Sequence, residues 1–189
     1  MQSVILIGDS IRMGYRPTVE QLLGDRVQLW APAENGGTSA NVLAHLDEWV
    51  LSRRPNILHL NCGLHDLKTD FGATSQAVPL DQYEANLRQI VGRIEGLGTT
   101  QLIWATTTPV NEVWHHARKS FDRFQADVLA YNHVARQVVS AHGVPINDLY
   151  QTMMDAGRDE HLAPDGVHFT PAGYMLLGQV VADAIRIYL

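Results

Sequence analysis

The chain has 189 residues, 46% hydrophobic and 18% charged, the balance of one globular domain with a real core rather than a disordered tail. Lys and Arg number 14 against 20 Asp and Glu, and the net charge of -6 excludes the basic surface that a nucleic-acid binder needs. The single cysteine, Cys62, can form no internal disulfide, and no uncharged run approaches the ~20 residues of a membrane helix.

Apolar β-branched runs alternate with longer stretches of helical period, the pattern of repeated βα units around a parallel sheet. Ser3–Ile7 is a continuous apolar run suited to a central strand covered on both faces. Residues 1–15 carry no basic segment ahead of Val4–Ile7, which is too short for a signal peptide, so a cytoplasmic location is expected. Val27–Trp30 reads as the second strand. A helix capped by Thr38 or Ser39 runs to about Arg53, with Val42, Leu43, Leu46, Trp49 and Val50 on one stripe, and Pro55 stops it. Ile57–Asn61 is the third strand, and Lys68–Pro79 a long irregular segment.

The next helix extends from about Leu80 to Ile94 with Tyr83, Leu87, Ile90, Val91 and Ile94 inward, and Glu95–Gly98 ends it. Leu102–Thr106 is the fourth strand, followed by a second irregular stretch, Thr107–Ser120. A helix over about Phe121 to His142 stops at Gly143, and Val144–Asn147 is the fifth strand. Met153 and Met154 fall on a short helix as core filler. Thr170-Pro171 opens the last helix, which carries Leu176, Leu177, Val180, Val181 and Ile185. With no repeat or linker, residues 1–189 form one domain. Ligands of an open parallel sheet bind beyond the carboxyl ends of its strands, so chemistry is sought there.

Gly8-Asp9-Ser10 follows the first strand. A serine there can present its hydroxyl and its own N–H to solvent, although the same tripeptide also makes an ordinary turn or helix cap. Glu34-Asn35-Gly36-Gly37-Thr38 offers backbone N–H groups to an anion but has neither P-loop nor dinucleotide spacing. Asn61, His65 and Asp66 gather after the third strand, where a lone histidine is more often structural. Asp165-Gly166-Val167-His168 lets a carboxylate fold back onto the imidazole Nδ1–H, fixing the tautomer and leaving Nε2 as a base, or else makes a type I turn.

In this order the blocks resemble the SGNH hydrolase superfamily of GDSL-type lipases and esterases. The resemblance implies a flavodoxin-like three-layer α/β/α sandwich around a parallel five-stranded sheet. Gly8-Asp9-Ser10 matches the first block, with Ile11 in place of the usual Leu. Gly36 best matches the second-block glycine, with a slip to Gly37 open, and Asp165 and His168 match the last. The third block departs: the family pattern is GxND, and here Gly63-Leu64-His65-Asp66 puts His65 at the oxyanion-donating Asn. An imidazole still donates a hydrogen bond, with a different reach. Asn61 is a second candidate for that donor.

The resemblance implies a serine hydrolase acting on small carboxylic esters, including O-acetyl groups of carbohydrates. Ser10 would be the nucleophile, His168 the base and Asp165 its orienting carboxylate, with Ser10, Gly36 and His65 forming the oxyanion hole. Asp9 and Asp66 brace their loops, and Cys62 packs in the core. Trp114 is either a substrate wall or a cover on the core edge. His115 and His116 lack the neighbouring carboxylate of a metal site, and no cofactor is implied. A transacylase on the same residues and a non-catalytic ligand-binding domain are the rivals. No basic amphipathic helix suggests membrane docking, and nothing specifies an oligomeric state.

Overall fold

The computed structural model describes residues 1–189. Its strands are β1 (Gln2–Ile7), β2 (Val27–Trp30), β3 (Ile57–Leu60), β4 (Thr69–Asp70), β5 (Gln101–Ala105), β6 (Phe121–Asp122) and β7 (Ile146–Asn147). The helices are α1 (Ser10–Leu23), α2 (Ser39–Ala44), α3 (Leu80–Glu95), α4 (Glu112–His116), α5 (Gln125–Ala141), α6 (Leu149–Asp155), α7 (Arg158–His161) and α8 (Pro171–Arg186). Five strands pair in parallel in the order β2-β1-β3-β5-β7. Residues 4–7 of β1 and all of β3 are buried, as an apolar run without alternation requires when helices cover both faces. Helices α1 and α8 pack together on one face with α6 against α8, while α2, α3 and α5 pack on the other. The expected α/β architecture around a five-stranded parallel sheet is therefore present. No helix is long and apolar enough to cross a membrane.

Glycine lets α1 and α8 approach closely: a Cβ on Gly178 would lie 2.5 Å from Thr18 Cβ, and one on Gly14 would meet the Tyr174 ring at 2.2 Å.

Three elements differ from expectation. Helix α1 begins at Ser10 itself, with Asp9 as its N-cap and Pro17 in its interior. The helix after Thr38 is α-helical only to Ala44; its second half, Asp47–Leu51, widens into a π-type turn that still buries Trp49 and Val50. Helix α5 starts four residues late, because Phe121–Asp122 pairs antiparallel with Thr69–Asp70. The two long irregular segments thus meet: each reaches this ribbon, which stands apart from the main sheet.

Candidate active site

The site lies beyond the carboxyl ends of β1, β3 and β5. At the end of β1, the Asp9 carboxylate caps α1 by accepting from the Ile11 N–H at 2.9 Å. Ser10 is the first residue of that helix, so its N–H has no carbonyl one turn back inside the helix. The Ser10 hydroxyl is half-buried and lies 2.9 Å from His168 Nε2. On the far side of the ring, His168 Nδ1 donates to Asp165 Oδ2 at 2.6 Å. The structure thus brings the expected serine, histidine and aspartate into one hydrogen-bonded line.

The loop that carries Asp165 and His168 is tightly held. Asp165 Oδ1 accepts from the Val167 and His168 N–H groups at 3.1 and 3.0 Å. Burial raises the pKa of Asp165, but the hydrogen bonds from the His168 ring and from these two N–H groups outweigh it and hold the carboxyl well below its usual range. Gly166 adopts φ 73°, and its carbonyl accepts from the Asn111 N–H at 2.8 Å. A Cβ there would lie 2.4 Å from the Asn111 carbonyl oxygen, so α4 and the Asp165 loop can approach only across a glycine. His115, buried on α4, directs Nδ1 at the Asp165 carbonyl at 3.3 Å, and Lys119 Nζ lies 3.3 Å from Asp165 Oδ2. Composition and spacing gave no signal for Asn111, His115 or Lys119 here. They sit in the long irregular segment 107–120.

The side where the oxyanion donors are expected is built differently. Gly36 abuts the first loop, where a Cβ would lie 2.7 Å from the Gly8 carbonyl oxygen. Its N–H donates to that same oxygen at 3.0 Å, so the donor expected of Gly36 is engaged with backbone, and its role here is close packing of the two loops. The Gly37 N–H is likewise engaged, with Asn35 Oδ1 at 2.8 Å. Asn61 donates one of its two amide N–H groups to the Ala105 carbonyl at 2.8 Å, which bridges the ends of β3 and β5 and fixes the carboxamide there.

His65 is half-buried, and neither ring nitrogen has a hydrogen-bond partner in the chain. Burial, reinforced by the positive charges of Arg123 and Lys68 and by His168, lowers the imidazole pKa against the pull of Asp9. The ring is neutral at pH 7 and carries one uncommitted N–H. Below it, Asp66 accepts from the Ser39 N–H with both oxygens at 2.9 Å and also from the Ser39 hydroxyl, tying the third loop to the start of α2. Gly63, at φ 142°, packs on Thr107, and Tyr83 donates to the Cys62 carbonyl at 2.9 Å. Cys62 itself is buried, with its thiol pushed up in pKa by burial, as suits a core residue.

Trp114 is half-buried against the core and also lines an open cavity of about 320 Å³ with Arg118, Leu162 and Pro164, beside Asp165. His116 faces away, pairing with Asp122 at 2.8 Å.

Chemically, the line from Asp165 through His168 to Ser10 can move a proton off a hydroxyl, and the open N–H groups beside it can receive negative charge. Known structures share the fold. The lipase/acylhydrolase from Enterococcus faecalis superimposes with a TM-score of 0.83 at 24% identity, over 98% of this chain and 96% of that one. An acetyl xylan esterase, AlAXEase, gives 0.77 at 18% identity over 97% and 99% of the two chains. A catalytic mutant of an acetylxylan esterase from Geobacillus stearothermophilus gives 0.79 at 19% identity over 97% and 94%. No curated protein sequence matches the chain. Residues 6–176 match the model of the GDSL-like lipase/acylhydrolase family, a span that runs from the end of β1 into the first turns of α8. The chain belongs to that family and is an ester-hydrolysing serine hydrolase.

Proposed function

We propose that the protein is a serine esterase that removes short acyl groups, with O-acetyl groups of carbohydrates as the leading substrate class. The observation that carries this reading is the hydrogen-bonded line Ser10–His168–Asp165 at 2.9 and 2.6 Å. Ser10 Oγ attacks the ester carbonyl as its proton passes to His168 Nε2, and Asp165 stabilises the imidazolium that forms. The tetrahedral oxyanion is received by the Ser10 N–H, at the positive end of α1, and by the neutral ring N–H of His65. His168 then returns the proton to the leaving alcohol, and water activated by the same imidazole releases the acid. The open cavity beside Trp114 suits a sugar ring on the alcohol side, and two structural relatives are acetylxylan esterases.

The test joins labelling to turnover. A fluorophosphonate should modify wild-type protein at Ser10 and leave a folded Ser10→Ala variant unlabelled. On an acyl series from acetate to octanoate, with O-acetylated sugars alongside, kcat/KM should fall with chain length. Absence of labelling would favour a binding module, and preference for octanoate would refute the short-acyl reading.

A further inference from the structure

Arg123 lies between β6 and the start of α5, and its side chain is driven inward rather than out to solvent: it is 5% exposed. Removing a guanidinium from water is costly, and proteins retain such groups where the charge is paired or used. Here it is anchored but not paired. Nε donates to the Leu64 carbonyl at 2.7 Å, one residue before His65, and the Phe121 ring lies under the guanidinium at 4.9 Å. No chain atom accepts from either terminal nitrogen, and neither is sealed from solvent. The charges that reach it are those of Asp9 and Asp165, and it acts in turn on His65 and His115, so it stands among the groups that frame Ser10.

Serving as the countercharge of Asp9 does not explain this arrangement. Asp9 Oδ2 is buried without a partner, and a guanidinium placed for Asp9 would close on that oxygen. Asp165 is already satisfied by His168 and two N–H groups, and its nearest cation is Lys119. A planar fork with its stem fixed and both outer donors free matches a carboxylate presented from outside. Lys68 Nζ lies 4.6 Å from the same Phe121 ring, but it is paired with Asp70 at 2.8 Å, which leaves Arg123 as the unpaired cation of the two.

Resting on the esterase reading above, we propose that Arg123 anchors a carboxylate carried by the substrate, so that the preferred esters are anionic ones. The free fork receives the carboxylate in a bidentate pair, and the ester carbonyl is thereby placed against Ser10. Whether that carboxylate belongs to the acyl or the alcohol half is a matter of substrate geometry, and matched pairs separate the two. The acyl-side pair is phenyl hydrogen adipate with phenyl methyl adipate. The alcohol-side pair is 4-acetoxybenzoate with methyl 4-acetoxybenzoate.

With uncatalysed rates subtracted, wild-type kcat/KM should favour the anionic member of one pair by tenfold or more, through KM. That ratio should shrink as salt rises from 20 to 500 mM. Arg123→Met should bring the ratio near one, and Arg123→Lys should keep part of it. A ratio of one or below in both pairs overturns the proposal without touching the esterase reading, which stands on Ser10-dependent turnover of phenyl acetate. A ratio that survives Arg123→Met in folded protein also overturns it. If Arg123→Met fails to fold, the wild-type ratio, its salt dependence and Arg123→Lys decide.

Discussion

The two sides of Ser10 are held by opposite strategies. On the acid–base side, Asp165 accepts three hydrogen bonds, His168 is bonded through both ring nitrogens, and α4 clamps the loop across Gly166. On the side proposed to receive the oxyanion, the backbone is fixed through Asp66, Tyr83 and Gly36, but the His65 side chain makes no hydrogen bond. The contrast follows from what each side must do. A proton relay is useful only if its partners already touch in the resting enzyme. An oxyanion donor must be rigid and unspent, because a bond satisfied in the ground state gives no extra stabilisation in the transition state. The Gly36 N–H fails that second condition because it is already engaged, and Asn61 has one of its two amide N–H groups committed to Ala105, whereas His65, the proposed donor, makes no hydrogen bond in the chain.

The largest effect should come from cutting the pinned side. Asp165→Asn places a carboxamide against His168 Nδ1 and favours the tautomer that puts the ring proton on Nε2, facing Ser10. We expect kcat to fall by ~10³–10⁴, with KM little changed. A loss of less than tenfold, measured at pH 8, would show that Asp165 only shapes its loop.

A smaller loss should follow on the open side. His65→Ala should lower kcat by ~10²–10³ with little change in KM, because its hydrogen bond forms as charge develops. His65→Asn should recover much of this, since it supplies the carboxamide donor of the family's third block. Melting temperatures of both variants should stay near wild type, because the ring makes no hydrogen bond to lose. Asn61→Ala should show the reverse pattern, with stability falling as the bridge to Ala105 is lost while the rate per folded molecule holds. If His65→Ala melted early and kept its turnover, the oxyanion role would be lost and the histidine would belong to the scaffold.

How far the sequence reaches also divides along this line. The alternation of apolar runs and helical periods marks all five strands of the main sheet within about two residues, and Asp165 and His168 are legible because a local DxxH spacing is itself the geometry of the pair. Helix α1 is hidden by Pro17 in its middle, although Ile11, Tyr15, Val19 and Leu23 keep a buried stripe. The ribbon of β4 and β6 pairs residues more than 50 positions apart through two rungs only, too little to leave a periodic trace. Because of that ribbon, Phe121 leaves the expected helix and Arg123 turns inward, so the buried cation was illegible too. The engagement of the Gly36 N–H depends on how closely two loops approach, which a glycine permits but does not announce.

The finest test compares the two carboxylates that hold the two sides. Asp165 sits well below its usual range, whereas burial pushes Asp66 up to about 6, overcoming the hydrogen bonds from Ser39. A carboxyl whose folded pKa is raised binds more protons folded than unfolded between the two values. Its contribution is therefore fully present below the unfolded pKa of ~4 and lost as pH rises through about 6. Asp165 has the opposite sign, contributing above ~4 and losing it only as pH falls into strong acid. Asp66→Asn gives up one acceptor for the Ser39 N–H and should be less stable than wild type at pH 4.5. It should lack the titration, so the gap to wild type should narrow by about 1–3 kcal/mol between pH 4.5 and 7. Urea unfolding of both proteins across that range reads the difference directly, and every other titrating group cancels between them. A gap that widens with pH would mean that Asp66 is stabilised as an anion by Ser39, and that the oxyanion side is anchored by charge just as the acid–base side is.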